Sequence, residues 1–209
     1  ASYLVGADKT YEATIQFGAR STTGDPEGEI TATGQRTSEQ PVQDALPALT
    51  GEIEQIPPAA SAIHIDGERA YRRFRRGETV TVPVRRVTVH VFTVMHFDPD
   101  TQEANVTVRC GSGTYVRSLA RDLGELVGTG AYLTQLRRTE VGSFSVVEAA
   151  DPDLISAAPA GTCCWLPAGA AVSGLQQRLM TADERAVVGH GGRIAVDPSW
   201  VDDVALLDE

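Results

Sequence analysis

Lysine is all but missing from this sequence: Lys9 is the single example in 209 residues, and every other fixed cation is an arginine. Arginine's planar fork suits bidentate phosphate contacts and stacking on bases, which a point-charge ammonium does less well. Cysteine is scarce as well. Cys110, Cys163 and Cys164 are odd in number and show no metal-ligand spacing, which argues against a disulfide framework or a zinc site and leaves reduced, buried thiols as the expectation. No long apolar run exists. The longest charge-free stretch, Leu154 to Gln177, is interrupted by Pro159, Pro167 and several glycines, so no membrane span is expected. No charged-then-apolar leader opens the chain, and a cytoplasmic address is the expectation. There is no internal repeat and no low-complexity tract.

The charge balance is also one-sided. A net charge of −10 argues at first sight against a nucleic-acid partner, because phosphate binding usually demands a basic surface. The distribution changes that reading. Arg69, Arg72, Arg73, Arg75, Arg76, Arg85 and Arg86 crowd one stretch, while acidic residues gather in the N-terminal loops and the tail. The run reads either as a solvated helix face or as a local basic patch on an acidic body, and the latter is enough to dock an RNA.

What is present reads as one large domain with a small appendage. Residues 9 to 17 alternate as a strand, with Tyr11, Ala13, Ile15 and Phe17 on one face. Gly18 to Gly28 is a loop, Glu29 to Thr33 a return strand, and Pro41 to Leu49 a helix with proline in its first turn. Short strands are expected at Ile53 to Ile56, Ala60 to Ile65 and Val80 to Val84, with a helix from Glu68 to Arg75. Val87 to Phe97 and Ala104 to Cys110 form a strand pair, with Val87, Val89 and Val91 on one side. A last strand covers Val141 to Val146. Composition then shifts to Ala, Pro and Gly. The expected division is a main domain over 1–150, a connector over 151–177 and a small β-rich piece over 178–209.

The organising stretch is CGSGTYVRSLARDLGELVGTGAYLTQLRR, from Cys110 to Arg138. A glycine-rich turn leads into a helix whose Val116, Leu119, Ala120 and Leu123 share a buried face, and a strand ending in paired arginines follows. Arg117 lies near the start of that helix, where it can hold a carboxylate or phosphate. Alternatively it is a surface arginine paired with Asp122 or Glu125. The turn fits neither GxxxxGK(S/T) nor GxGxxG, so nucleotide binding through those motifs is not indicated. Together with ADKTYEATIQFG, STTGDPEGEI and QIPPAASAIHIDGERAYRRFRRGE, in that order, the stretch resembles the TruB-type pseudouridine synthases over roughly residues 1 to 150.

The resemblance implies an α+β fold, a mixed and mainly antiparallel sheet with packed helices and a central cleft, and, from Leu179 to Arg193, the start of a small C-terminal RNA-binding-like domain over 178–209. It implies isomerisation of the T-loop uridine of tRNA to pseudouridine by base flipping and aspartate attack, without a metal or other cofactor, by a monomer that grips the T arm. Tyr11, in Lys9-Thr10-Tyr11, would pack on the flipped base. Arg117 would pair with the catalytic aspartate, and Asp25 would organise the site through arginine contacts. Tyr115 and Leu136 would line the pocket. Tyr71 and Arg75 match AYxxARxG and would dock RNA, as would Arg138. His64 departs from the family's Ser-Ala-(Leu/Ile)-Lys, and the phosphate or base contact of that lysine would fall to histidine. The family's Gly-(Thr/Gly)-Leu-Asp-Pro segment, which carries the nucleophile ahead of Lys-x-Tyr, has no counterpart here, so the nucleophile is expected upstream. Two other readings stay open: a module that binds or folds tRNA without isomerising it, and a small phosphate-ligand enzyme built on the glycine turn and Arg117.

Overall fold

The computed structural model describes residues 2–157, 166–195, 197–199 and 204–207; Cys163 and Cys164 lie outside the described residues. In chain order the elements are α1 (Ser2–Val5), β1 (Lys9–Phe17), β2 (Ala19–Ser21), β3 (Ile30–Ala32), α2 (Glu39–Ala45), a 3-10 turn (Leu46–Leu49), β4 (Gly51–Gln55), β5 (His64–Ile65), β6 (Glu68–Arg69), α3 (Ala70–Arg75), β7 (Arg85–Asp98), β8 (Glu103–Cys110), α4 (Val116–Leu126), β9 (Ala131–Val141) and β10 (Phe144–Ser145). Beyond these come α5 (Pro152–Ala157), a second 3-10 turn (Ala168–Val172), β11 (Gln176–Leu179), α6 (Ala182–Gly189) and β12 (Val204–Leu207).

Residues 6–147 form one compact unit. Its centre is a six-stranded sheet in the order β10-β9-β1-β8-β7-β4, antiparallel throughout. Period-two alternation sends Ala13, Ile15 and Phe17 of β1 and Ala104, Val106, Val108 and Cys110 of β8 to one face. That face is closed by α4 through Val116, Leu119, Ala120 and Leu123, and by Val42, Leu46 and Leu49 from α2 and its 3-10 extension. Each fully buried side chain of this kind is worth about 1.5–3 kcal/mol against its exposed state. The opposite face carries polar side chains, such as Thr14 hydrogen-bonded to Asn105 at 3.1 Å.

Several expected elements are redrawn. In β7 the register slips between Val89 and Val91, so Val91 turns out to solvent and Phe92 takes the inward place. One inserted residue reverses the parity that follows, and a second slip between Val94 and His96 restores it, so Phe97 again faces inward. The last strand of the sheet runs unbroken through the paired arginines to Val141 and turns at Gly142 into two-residue β10, where a separate strand over Val141 to Val146 was expected. Val80 to Val84 forms no strand, and only His64–Ile65 of the segment 60–65 is strand.

A second unit comprises residues 1–5 with 148–209. Within its described residues β11 and β12 pair in parallel. Helix α6 starts in a capping box: Thr181 accepts from the Glu184 backbone, and the Glu184 carboxylate accepts from the Thr181 N–H.

Candidate active site

The site is built at the start of α4. The chain leaves β8 at Cys110, and Gly111 donates to the Thr88 carbonyl at 2.9 Å, which ties the turn to β7. Gly113 then takes a φ of +88°, a conformation in which a side chain would be strained, and aims the helix across the sheet. At the far end Gly124 lets the helix lie against β9, since a methyl there would overlap the backbone nitrogen of Ala131. Amphipathicity fixes the rotation: with Val116, Leu119, Ala120 and Leu123 inside, Arg117 is left at the rim.

Three acceptors hold Arg117. Its Nη1 donates to Asp25 Oδ2 at 2.7 Å and to the Thr23 carbonyl at 3.0 Å, and its Nη2 donates to the Ala60 carbonyl at 2.9 Å. Both partners of the ion pair are about four-fifths buried, with side-chain exposures of 22% and 23%. The surface-arginine alternative is thereby set aside: Glu125 is engaged by Arg20 and Asp122 by Arg121. Among the described residues two of the five guanidinium N–H groups of Arg117 have no acceptor, which leaves room for a further anion.

Asp25 sits in the loop after β2. Its Oδ1 accepts from Thr23 Oγ1 at 2.5 Å and from the Glu27 N–H at 3.1 Å. With both oxygens occupied, it orients the arginine. Gly24, at φ +80°, brings the loop backbone against Arg117, and its carbonyl accepts from the Leu133 N–H at 3.1 Å.

Around this pair lies a cleft of about 900 Å³. Asp25, Tyr71, Arg75, Tyr115, Arg117 and Leu136 all line it, with Phe74 from α3 and Thr134 from β9. Arg75 stands 5.5 Å from the ring centre of Tyr71, a cation–π contact that stiffens the α3 wall. Ser61, 4% exposed, lines the cleft with a hydroxyl that has no partner among the described residues.

Tyr11 and Arg138 are not cleft-lining but are register partners two pairs beyond Ala13 and Leu136, and so on the same face of the sheet. Burial pushes the Tyr11 phenol upward, helped by neighbouring Cys110 and opposed by its hydrogen bond with Arg138. The half-buried Tyr71 phenol is shifted down by the Arg72 guanidinium that bonds it. His64 stands apart, exposed on the β5–β6 hairpin.

The arginine run is less free than it reads. Arg73 pairs with Asp66 and Glu78, and Arg76 with Glu68 and Glu78, whereas Arg69, Arg72, Arg75 and Arg85 have no acidic partner among the described residues. Gln55, 2% exposed, escaped the sequence reading; a polar residue ending an edge strand gives little signal, yet it bonds the backbone of Tyr115 twice. No grouping of three or more His, Cys, Asp or Glu able to hold a metal occurs among the described residues.

Comparison with known proteins decides the family. The model for the TruB family pseudouridylate synthase N-terminal domain matches residues 1–116, more than half of the chain, and that for the tRNA pseudouridylate synthase B C-terminal domain matches 117–157. The chain belongs to the TruB family. It is 43% identical over 201 residues to the tRNA pseudouridine synthase B of Leifsonia xyli subsp. xyli (strain CTCB07), covering 92% of this chain and 65% of that protein. It is 48% identical over 154 residues to the enzyme of the same name from Arthrobacter sp. (strain FB24), covering 71% of this chain and 50% of that protein. It therefore spans about half to two-thirds of these TruB relatives. The fold matches the crystal structure of a Cbf5-Nop10-Gar1 complex with a TM-score of 0.65 at 20% identity, over 99% of this chain and 58% of that one. The two TruB family models meet between Val116 and Arg117, inside the structural unit, so Asp25 and Arg117 come from different sides of that division.

Proposed function

We propose that this chain supplies the base-holding and RNA-holding part of a tRNA pseudouridine synthase acting on the T-loop uridine. The observation that carries the reading is Arg117: clamped by Asp25, Thr23 and Ala60, it faces a tyrosine-lined cleft with two N–H groups to spare. A flipped uridine loses its stacking and needs aromatic surface to replace it, and Tyr115 and neighbouring Tyr11 offer that surface. The spare donors of Arg117 suit a second carboxylate, the nucleophile that the family resemblance implies and for which no stretch of these residues is a match. Attack by that carboxylate on the nucleotide breaks the glycosidic bond and frees the base, which turns and rejoins through carbon 5 as the carboxylate leaves; the carbon 5 proton is lost to solvent and the former glycosidic nitrogen takes one up. Arg75, Tyr71 and Arg138 would meet the T arm, by phosphate contact and shape. The protein would act as a cytoplasmic monomer.

The test is tritium release from T-loop RNA labelled at carbon 5 of uridine, run beside filter binding of the same RNA. Binding without release supports this division of labour. Release by these residues alone moves the nucleophile into the chain, with Asp25 the first candidate, and absence of both activities overturns the reading.

A further inference from the structure

We propose that Gln55 is a positioning residue of the cleft, whose buried carboxamide holds the backbone of Tyr115 and thereby sets where Tyr115 and Arg117 present their side chains. The inference rests on the reading of the cleft as the uridine-holding site. Gln55 ends β4, and its side chain is 2% exposed although it lies on an edge strand. Its Oε1 accepts from the Tyr115 N–H at 2.8 Å, and its Nε2 donates to the Tyr115 carbonyl at 3.2 Å. The amide thus pairs with Tyr115 as a neighbouring strand backbone would. Tyr115 is the N-cap of α4 and receives no side-chain cap of its own, so this pairing is what fixes the point at which the helix begins. The segment that follows Gln55 continues the stitching. The Ile56 carbonyl accepts from Ser118 Oγ at 2.8 Å and from Arg121 Nη2 at 2.9 Å, and the Ala60 carbonyl accepts from Arg117 itself. Residues 55–60 therefore bind the first turns of α4 along their length, with Gln55 as the end that engages a cleft residue through both its backbone groups.

Only a group with a donor and an acceptor side by side can do this, which makes the proposal testable by an isosteric change. Gln55→Glu keeps the shape but sets a carboxylate oxygen against the Tyr115 carbonyl. A buried carboxyl takes up its proton well above the usual range, and the neutral acid again offers a donor. Arg85, the register partner of Gln55 on β7, is exposed, and Arg121 is engaged by Asp122 and Ile56.

The experiment follows Tyr115 amide exchange and the Arg117 Nε–H resonance by NMR in wild type, Gln55→Leu and Gln55→Glu, from about pH 8 down to about pH 5.5. Gln55→Leu should speed Tyr115 exchange about tenfold to a hundredfold and broaden the Arg117 signal at every pH. Gln55→Glu should behave like the leucine variant at the alkaline end and like wild type at the acid end. A role in packing alone would leave the glutamate variant indifferent to pH. Unchanged exchange and an unchanged Arg117 signal, or a Gln55→Glu effect that is the same at both ends, overturn the proposal. The isomerisation rate of the complete protein, each variant taken relative to wild type at the same pH, should repeat the pattern. If wild type does not isomerise, the functional reading fails and the NMR result still decides on Gln55. If wild type and both variants isomerise alike, the role of Gln55 fails alone.

Discussion

At the scale of single residues, the arrangement turns on how many acceptors one guanidinium serves. Arg117 spans an aspartate and two carbonyls from two segments, the loop after β2 and the stretch at Ala60, and a lysine ammonium has neither the reach nor the planar fork to do so. Arg117→Lys and Arg117→Ala are therefore both expected to lower isomerisation by the complete protein at least about a hundredfold, the scale seen when a preorganised electrostatic group is lost. RNA affinity should stay within a few-fold, because the proposed docking contacts are those of Tyr71, Arg75 and Arg138. Tyr11→Ala should follow the same pattern. Tritium release and filter binding on the same preparations check both statements, and normal release by any of these variants would remove that residue from the site. Little of this could be read from pattern alone. Asp25 and Arg117 lie 92 positions apart, so no periodicity connects them, and the pairing of each with its motif came from family resemblance. Gln55 was passed over because its work is done by a side chain meeting a distant backbone.

Elements were legible where burial follows a period and opaque where the chain serves a neighbour. The alternation in β1 and β8 and the helical face of α4 follow directly from side-chain spacing. The strand expected at Ala60 to Ile65 is bent because the Ala60 and Ser61 carbonyls are taken by Arg117 and by the Tyr71 N–H. Val80 to Val84 has β-branched residues but no ladder partner, and its buried Val82 packs as a cover instead. Gly124 illustrates how an element-level rule reverses. Glycine to alanine within a helix ordinarily gains about 1 kcal/mol, yet here the methyl would overlap the Ala131 backbone. Gly124→Ala should therefore lower stability by about 1–3 kcal/mol in urea denaturation, and a gain would mean that α4 does not lie this close to β9. Helix α6 gives a pH prediction. Arg178 and the Thr181 N–H hold the Glu184 carboxyl down at about 2, below its ordinary 4.5. A depressed folded value means that the capping contribution is full above the ordinary carboxylate range and is lost as pH falls toward 2. Amide protection of α6 should fall over that window in wild type, whereas Glu184→Gln should be less protected at neutral pH and flat below it.

For the whole molecule, the question is how a protein of net charge −10 would hold the polyanion proposed as its substrate. Its arginines outnumber the cations that are free to act: Arg73 and Arg76 are neutralised by Asp66, Glu68 and Glu78, while Arg75 stands beside Tyr71 on the cleft wall and exposed Arg72 donates to the Tyr71 hydroxyl. Acids woven into a basic run weaken non-specific attraction and leave fewer phosphate contacts to release counterions, so the salt dependence of RNA binding should be shallow for a run of this length. The combined change Glu68→Gln and Glu78→Gln tests this. It removes both carboxylate charges paired with Arg76 and leaves Arg73 with the longer 3.5 Å ion pair to Asp66, while the glutamine oxygens can still accept neutral hydrogen bonds. Binding of T-arm RNA should tighten, and the slope of log K against log salt should steepen by about one to two. The gain should extend to unrelated RNA, because freed arginines meet phosphate and not base edges. An unchanged slope would place the RNA on another face. A steeper slope confined to T-arm RNA would mean that Arg73 and Arg76 read shape, and that Glu68 and Glu78 aim those arginines instead of restraining them.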